Sequence, residues 1–329
     1  MFRNEGTAPL TFQPIFIERM WGGRRLESEF HKKLPPQKRI GESWEIVDRS
    51  EAQSVVAGGP LGGRTSHELW TQQREEIFGD LAGTPRFPLL IKILDAQEKL
   101  SLQVHPPENV ASKLGGEPKS EFWYVAAANP DAEVFVGFRE PITREMFEEK
   151  LRNGTVIDYI HKIAVGAGDA IFLPAGRVHA IGAGNLLIEI QQNSDTTYRV
   201  FDWNRVGLDG KSRELHVRQS LASINFNDFE PALVANDFSE LKGARKRELT
   251  RDELFSADLI ELRGSDPWPI IPGKAQIVAV VSGHLQVAHP SQPVSLSPGQ
   301  FSLIPAASKG VVLKAASPAT FLLIEPGRN

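Results

Sequence analysis

Cysteine is absent from the 329 residues, and histidine occurs only eight times. The lack of cysteine excludes disulfides, thiolate metal sites and cysteine nucleophiles, so a bound metal must use nitrogen and oxygen ligands. No apolar run approaches the length of about 18 residues that a membrane span needs, and the start MFRNEGTAPLTF has no apolar signal core. The net charge is −4 without a basic stripe, which argues against nucleic acid as a partner. These absences predict a cytoplasmic protein that binds neither membrane nor nucleic acid.

Short strand patterns fill most of the chain. Alternating or β-branched runs such as PLLIKIL, EFWYVAAA, NLLIEIQQ and AQIVAVVSG are separated at close intervals by Gly, Pro, Asn and Asp. That density predicts an all-β sandwich or barrel with few helices. Three segments have helical periodicity and caps: 65–80 with Thr65 and Glu68 at capping-box spacing, 141–154 with Thr143 as cap, and 213–224 with Leu215, Leu221 and Ile224 as its packed face. A polar, charged stretch at 238–254 predicts a boundary between domains 1–240 and 241–329.

Two distant segments share one pattern. GDAIFLPAGRVHAI from Gly168 and GQFSLIPAASKGVV from Gly299 both run from glycine through a short apolar strand to Pro-Ala and a second strand. His179 in the first segment corresponds to Gly310 in the second. One interpretation is two unrelated hairpins with similar turns. The other is a duplicated β-barrel in which only the first copy kept its polar side chains.

The stretch LSLQVHPP carries polar residues on one strand face. Ser101, Gln103 and His105 alternate with Leu100, Leu102 and Val104, and the prolines end the strand. Glu121 opens the apolar run EFWYVA, where an acid is costly to bury without a partner. His179 follows another strand–turn junction. Gln103, His105, Glu121 and His179 therefore make a candidate nitrogen and oxygen cage for a metal, although isolated histidines and one strand glutamate are more often structural.

A second polar pattern occupies LLIEIQQNSDTTYRVFDWNR. The turn residues NSD, which include Asp195, predict a hairpin that places Glu189 opposite Arg199. A cross-strand ion pair on a solvated sheet is the structural interpretation. The apolar neighbours of Glu189 favour a functional one, because charges in such runs are seldom surface residues.

The segments LLIKILDAQEKLSLQVHP, KSEFWYV, FLPAGRVHAIG and LLIEIQQNSDTTYRVFDWNR resemble the signature segments of type I phosphomannose isomerase in its short bacterial form, a family of the cupin superfamily. ERMWGG and GESWEI fit the same family, and the resemblance runs from about residue 15 to residue 225. It implies a mainly β fold of two cupin-type (jelly-roll) β-barrel domains with a few peripheral helices. The metal-binding catalytic domain would be 1–240, and 241–329 would be a degenerate cupin-like barrel.

The resemblance also implies one zinc ion per chain and the interconversion of mannose 6-phosphate and fructose 6-phosphate through an enediol(ate). The zinc ligands would be His105, Glu121 and His179, with Gln103 as a further ligand in many members. Arg199 would be catalytic, and Glu189, Lys119, Ser101 and Asp195 would lie in or beside the substrate pocket. The sequence departs from the family in HPPEN, where HPDD is frequent, and in KSEF, where short members often have KTEC.

The chemistry suggests roles for these residues. Glu189 is the first candidate for the base that carries a proton between neighbouring carbons, with a metal-linked histidine or water as the rival. Arg199 would hold developing negative charge or a sugar oxygen. Lys119, helped by Ser101, is the first candidate for the phosphate, with Lys92 and Arg177 less supported. Other divalent ions fit the same cage. A metal-bound sugar-binding cupin without turnover, or an isomerase of another sugar or sugar phosphate, remains an alternative, and the oligomeric state is unknown.

Overall fold

Strands dominate the computed structural model, as the sequence patterns predict. It describes residues 6–81, 83–203, 205–206, 211–264 and 266–327. The strands of the first part of the chain are β1 (Phe12–Gln13), β2 (Ile15–Gly23), β3 (Ile40–Ile46), β4 (Val55–Val56), β5 (Leu89–Ala96), β6 (Leu102–Val104), β7 (Glu121–Ala128), β8 (Glu133–Phe138), β9 (Ile160–Ala164), β10 (Ala170–Leu173), β11 (His179–Ile181), β12 (Asn185–Gln192) and β13 (Tyr198–Phe201). The later strands are β14 (Ser239–Leu241), β15 (Ala244–Arg251), β16 (Phe255–Leu262), β17 (Trp268–Pro269), β18 (Gln276–Ser282), β19 (Leu285–Ala288), β20 (Val294–Leu296), β21 (Phe301–Ile304), β22 (Val312–Lys314) and β23 (Ala319–Pro326).

Most of these strands form four antiparallel sheets. The first region contains a six-stranded sheet, β10-β7-β12-β5-β3-β2, and a five-stranded sheet, β13-β6-β11-β8-β9. The second region contains a six-stranded sheet, β14-β15-β16-β23-β18-β21, and a four-stranded sheet, β17-β22-β19-β20. The long apolar runs form the centres of the six-stranded sheets, where both faces are covered.

Helices are short and lie between strands. They are α1 (Arg25–Ser28), α2 (Ser66–Gln72), α3 (Arg74–Phe78), α4 (Glu108–Ala111), α5 (Arg144–Arg152) and α6 (Val217–Ser223), with 3-10 turns at Ser112–Leu114 and Val156–Tyr159. Thr65 and Glu68 form the predicted capping box, and Thr143 caps α5. The helix predicted over 65–80 is instead two helices, because the backbone leaves the helical region at Gln73. Leu215 was predicted to be buried, but it precedes α6 and is 41% exposed. No helix among the described residues is long and apolar enough to span a bilayer.

The two regions share packed surface. Leu10 pairs with Leu303, and the ring of Phe172 contacts that of Phe255. One buried apolar cluster contains residues from both regions, so no gap in the core marks the predicted boundary at 240/241. The boundary falls inside β14, and the division into two domains stays a prediction.

Candidate metal centre and active site

Three side chains that are distant in the sequence converge in the first region. His105 follows β6, Glu121 begins β7 and His179 begins β11. His179 is paired with Gln103 across β6 and β11, and Glu121 is paired with Leu173 across β7 and β10. One ligand atom from each of His105, Glu121 and His179 lies within 4.8 Å of the other two, and all three side chains are buried. The structure therefore brings together three of the four residues that the sequence analysis selected as candidate metal ligands.

Both imidazoles are oriented by backbone carbonyls. His105 Nδ1 lies 2.8 Å from the carbonyl oxygen of Thr196, and His179 Nδ1 lies 2.9 Å from that of Arg177. These bonds place the ring proton on Nδ1, so each Nε2 presents a lone pair. Both Nε2 atoms lie 3.2 Å from a carboxylate oxygen of Glu121, and neither oxygen accepts a well-formed hydrogen bond. Three lone-pair donors facing one another in a buried place fit a divalent cation.

The ammonium group of Lys119 contacts this cluster. Its Nζ lies 2.9 Å from Glu121 Oε2 and 3.2 Å from His105 Nε2. Burial and the nearby Lys119 charge lower the pKa of His105 to about 3, so the imidazole is neutral, as a metal ligand must be. Burial would raise the pKa of Glu121, but Lys119 and the two histidines hold it well below its usual value. Gln103 adjoins the group, with its side-chain amide 3.3 Å from His179 Nε2.

Glu189 lies beside this cluster on β12. Its Oε1 is 3.0 Å from Lys92 Nζ and 3.9 Å from Lys119 Nζ, and Trp123 Nε1 donates to Oε2 at 3.2 Å. Burial raises the pKa of Glu189 above its usual value, against the opposing effect of Lys92. Such a carboxylate is a stronger base than an exposed one, as a proton carrier requires.

The predicted hairpin between Glu189 and Arg199 is wrong. β12 belongs to the six-stranded sheet, whereas β13, which carries Arg199, pairs with β6 in the five-stranded sheet. Residues 193–197 carry the chain from one sheet to the other, so local turn chemistry misled the prediction. The partner of Glu189 on the neighbouring strand is Lys92.

A cavity of about 340 Å³ lies beside the cluster: Gln103, Lys119 and Glu189 line it, whereas His105, Glu121 and His179 are not among its lining residues. Its lining includes each side chain predicted to bind substrate or catalyse, together with a few that the sequence analysis did not select. The residues are Arg19, Trp21, Glu42, Lys92, Leu94, Leu100, Ser101, Gln103, Lys119, Ile181, Glu189, Asp195, Thr197, Arg199 and Arg213. Arg177 is not among these lining residues, and its guanidinium binds both carboxylate oxygens of Asp228.

Arginines form one side of this cavity. Arg199 Nη1 donates to the carbonyl oxygen of Glu214 at 2.7 Å, while its buried Nε has no hydrogen-bond partner among the described residues. Burial and the neighbouring Arg213 lower the pKa of Arg199 from its very high usual value. Arg213 is held by Asp202, which accepts from Nε at 2.7 Å and from Nη2 at 2.6 Å. A buried guanidinium donor without a partner, beside a second guanidinium group, is suited to an anionic ligand.

The sequence analysis missed Glu42, Arg19 and Arg213. Glu42 is buried, its Oε1 accepts from Arg19 Nε at 2.6 Å and its Oε2 from Trp44 Nε1 at 2.7 Å. Burial would raise the pKa of Glu42, but Lys92, Arg19 and Trp44 lower it to about 2. The sequence pattern that indicates Glu42 is ESWEI, where an acid precedes apolar residues of a buried strand, as Glu121 does in EFWYVA.

Comparisons with known proteins identify the family of this chain. Residues 10–129 match the family model for the phosphomannose isomerase type I catalytic domain. Mannose-6-phosphate isomerase ManA of Bacillus subtilis (strain 168) is 43% identical over 220 residues, which are 66% of this chain and 68% of that protein. The chain belongs to the type I phosphomannose isomerase family. A mannose-6-phosphate isomerase of Streptococcus mutans is 37% identical over 78% of this chain and 80% of its own length.

The crystal structure of the mannose 6-phosphate isomerase from Bacillus subtilis has the same fold. It aligns with a TM-score of 0.89 at 29% identity and covers 97% of this chain and 100% of that one. The predicted family, the predicted class of isomerase and the mainly β fold are thereby confirmed.

Proposed function

We propose that this protein interconverts mannose 6-phosphate and fructose 6-phosphate by moving a proton between C1 and C2 through an enediol(ate). The observation that carries the proposal is the convergence of two imidazole Nε2 atoms and one carboxylate beside a cavity lined with opposite charges. Five cationic and three anionic side chains line that cavity, which gives a net charge of +2. A sugar phosphate carries about −1.5 to −2 at neutral pH, so the lining complements it.

The metal would be held by His105, Glu121 and His179, with Gln103 as a fourth ligand. Zinc is our first choice, because nitrogen and oxygen donors in this number are typical of catalytic zinc, and other divalent ions fit the same set. When bound there, the ion supplies Lewis acidity to oxygens of the sugar. Lys119 Nζ contacts two of these proposed ligands, Glu121 and His105. The metal ion and the ammonium group of Lys119 would therefore share the same cation position.

Glu189 would be the base that transfers the proton between C1 and C2. It lies on the cavity wall and is held on two sides by Lys92 and Trp123, which fixes the direction of its carboxylate. Burial raises the pKa of Glu189, which makes its carboxylate a stronger base for the uptake of the proton. A metal-linked histidine or water is the rival for this role.

The remaining polar side chains would bind the substrate. Arg199, permanently cationic, would hold the negative charge that develops on a sugar oxygen. Lys119, Ser101 and Asp195 would contact oxygens of the sugar phosphate, and Lys119 would do so near the reacting carbons because it contacts the ligands. Arg213 lies outside the ligand group and is our choice for the phosphate itself.

A coupled assay for fructose 6-phosphate tests the proposal. Metal-free protein reloaded with zinc should convert mannose 6-phosphate. The chelated protein should convert it at no more than a few per cent of that rate. The zinc-loaded protein should act on mannose and on glucose 6-phosphate at no more than the same few per cent. Metal content measured on the same samples separates failed loading from failed turnover. Fully loaded protein that binds mannose 6-phosphate without product would support the sugar-binding alternative instead. We further propose a cytoplasmic location, which the absence of cysteine favours.

A further inference from the structure

A row of charged side chains crosses the six-stranded sheet of the first region. On the adjacent strands β7, β12, β5, β3 and β2 stand Glu121, Glu189, Lys92, Glu42 and Arg19. Lys92 is paired with Glu189 on one side and with Trp44 on the other, two residues from Glu42. The row runs from a proposed metal ligand, through the proposed base, to the opposite rim of the cavity.

Lys92 is held between two acids in this row. Its Nζ lies 3.0 Å from Glu189 Oε1 and 3.6 Å from Glu42 Oε2, and all three side chains are buried. Burial alone would favour an uncharged lysine, whereas the two carboxylates raise the pKa of Lys92 above its usual value. A flexible four-carbon stem needs such partners to keep its ammonium group in one place.

Glu42 is in turn fixed independently of Lys92. Arg19 Nε and Trp44 Nε1 donate to its two oxygens at 2.6 and 2.7 Å. Glu42 therefore lies in one orientation, and Lys92 is aligned against it. Glu42 and Glu189 are both acids and cannot pair with each other, but Lys92 Nζ contacts a carboxylate oxygen of each, which gives a path from Glu42 to Glu189.

We propose that Glu42 is a positioning residue for the isomerisation: through Lys92 it fixes the carboxylate of Glu189 for proton transfer. The inference rests on the proposed function for the role of Glu189. It adds a residue that is not a metal ligand and that sets the efficiency of the chemical step. Partners that orient a reacting group typically change activity by about 10–100-fold when they are removed.

The chain supplies a matched control on the same strand. Glu45 lies three residues from Glu42, faces the other side of β3, is equally buried, and pairs with Lys32 at 2.7 Å. Glu42→Gln should lower kcat by about tenfold or more with KM within about twofold, because binding groups remain and only the base is displaced. Glu45→Gln should leave kcat unchanged, although it too removes a buried carboxylate from an ion pair. Metal content should equal that of the wild type in both variants.

A double-mutant cycle separates positioning from direct substrate contact. Lys92→Met should lower kcat, and adding Glu42→Gln to it should cost little more, because the path through Lys92 is already broken. If Glu42→Gln is too unstable, Trp44→Phe removes one donor to Glu42 without changing a charge, and should lower kcat by a smaller factor. Retention of deuterium from C2 of the substrate at C1 of the product should fall in the same variants, as a displaced base exchanges its proton with solvent.

Three outcomes would overturn the inference. They are equal kcat for Glu42→Gln and Glu45→Gln, a rise in KM alone, and additive losses in the cycle with Lys92→Met. Failure of the proposed function has a different signature, namely no conversion of mannose 6-phosphate by the metal-loaded wild type. Full activity in Glu189→Gln would instead refute only the assignment of the base. In that case Lys92 and Glu42 would position another group.

Discussion

The two regions of the molecule have the same strand order, but they differ in the polar side chains that their strands carry. The order β10-β7-β12-β5-β3-β2 in the first large sheet corresponds to β21-β18-β23-β16-β15-β14 in the second. In the smaller sheets, β6-β11-β8-β9 corresponds to β17-β22-β19-β20. The echo around the two Pro-Ala pairs follows the same correspondence, because β10 and β21 each end at the residue before the proline. This repeated order favours the duplication interpretation of that echo.

The difference is clearest at one equivalent position. Glu121 and Gln276 are the first residues of β7 and β18, and each is paired with the last residue of the strand that precedes Pro-Ala. Glu121 faces two imidazoles. Gln276 accepts from the backbone N–H of Ile271 at 3.0 Å and donates to Glu325 at 2.5 Å. The same backbone therefore holds a carboxylate aimed at metal ligands in one region and an amide with its own partners in the other.

A second position shows the same contrast. Register places Glu189 of β12 opposite Trp123, and it places Leu323 of β23 opposite Val278 at the corresponding point. Among the described residues, His105, Glu121 and His179 form the one group with metal-ligand geometry. Function in this fold thus depends on a few side chains that strand order does not specify.

The largest expected effect is from making the first site resemble the second. Glu121→Gln should abolish metal retention and lower turnover by about 10³-fold or more, since an amide supplies no charge to the ion. Elemental analysis and the coupled assay measure both effects. Gln276→Ala is the control and should change neither. Wild-type metal content in Glu121→Gln would contradict the comparison.

Arg199→Ala should keep the metal but lower kcat by about 10²–10³-fold, the range for removing one donor that stabilises developing charge. The reason is the loss of a half-buried guanidinium whose buried Nε is free to bind an oxygen of the substrate. Metal content and steady-state kinetics on the same preparation provide the measurement, and Arg263→Ala, at an exposed ion pair of the second region, is the control. Unchanged kcat would remove Arg199 from the mechanism.

The charged interior should make the first region acid-sensitive. The folded pKa of Glu42, about 2, lies below the ordinary value of 4.5, so its contribution to stability is complete above pH 4.5 and is lost as the pH falls towards 2. A depression of this size corresponds to about 3 kcal/mol. Urea unfolding of metal-free protein should show wild type and Glu42→Gln differing most at pH 7 and converging below pH 3. A difference that does not depend on pH would refute the assignment.

The smallest effect is expected in the second region. Gln276→Leu should lower the free energy of unfolding by about 1–2 kcal/mol, because it removes the acceptor of Ile271 N–H and one of the two donors to Glu325, the other being Lys274. Metal content and kcat should remain those of the wild type. Urea unfolding at pH 7 measures the stability change, and an altered kcat would show that the two regions are coupled.

Local patterns in the sequence were sufficient for part of this structure. The caps Thr65 and Thr143, the strand face of Ser101, Gln103 and His105, and the buried acid Glu121 all follow from short-range periodicity and residue chemistry. Residues 193–197 show where that reasoning fails, since turn-forming residues predict a turn but not which sheet the next strand joins.

By itself the sequence determined which chemistry is available. It contains no thiolates, it places two histidines and a glutamate at strand ends, and it has a second strand glutamate, Glu189, followed by Arg199. These depend on residue type and on the two-residue period of a strand, both of which are local. Only the tertiary structure decided that Glu42, Lys92 and Glu189 stand in one row and that Arg199 faces them from another sheet. Pairing between strands far apart in the chain is set by packing of the whole core, and no local pattern encodes it.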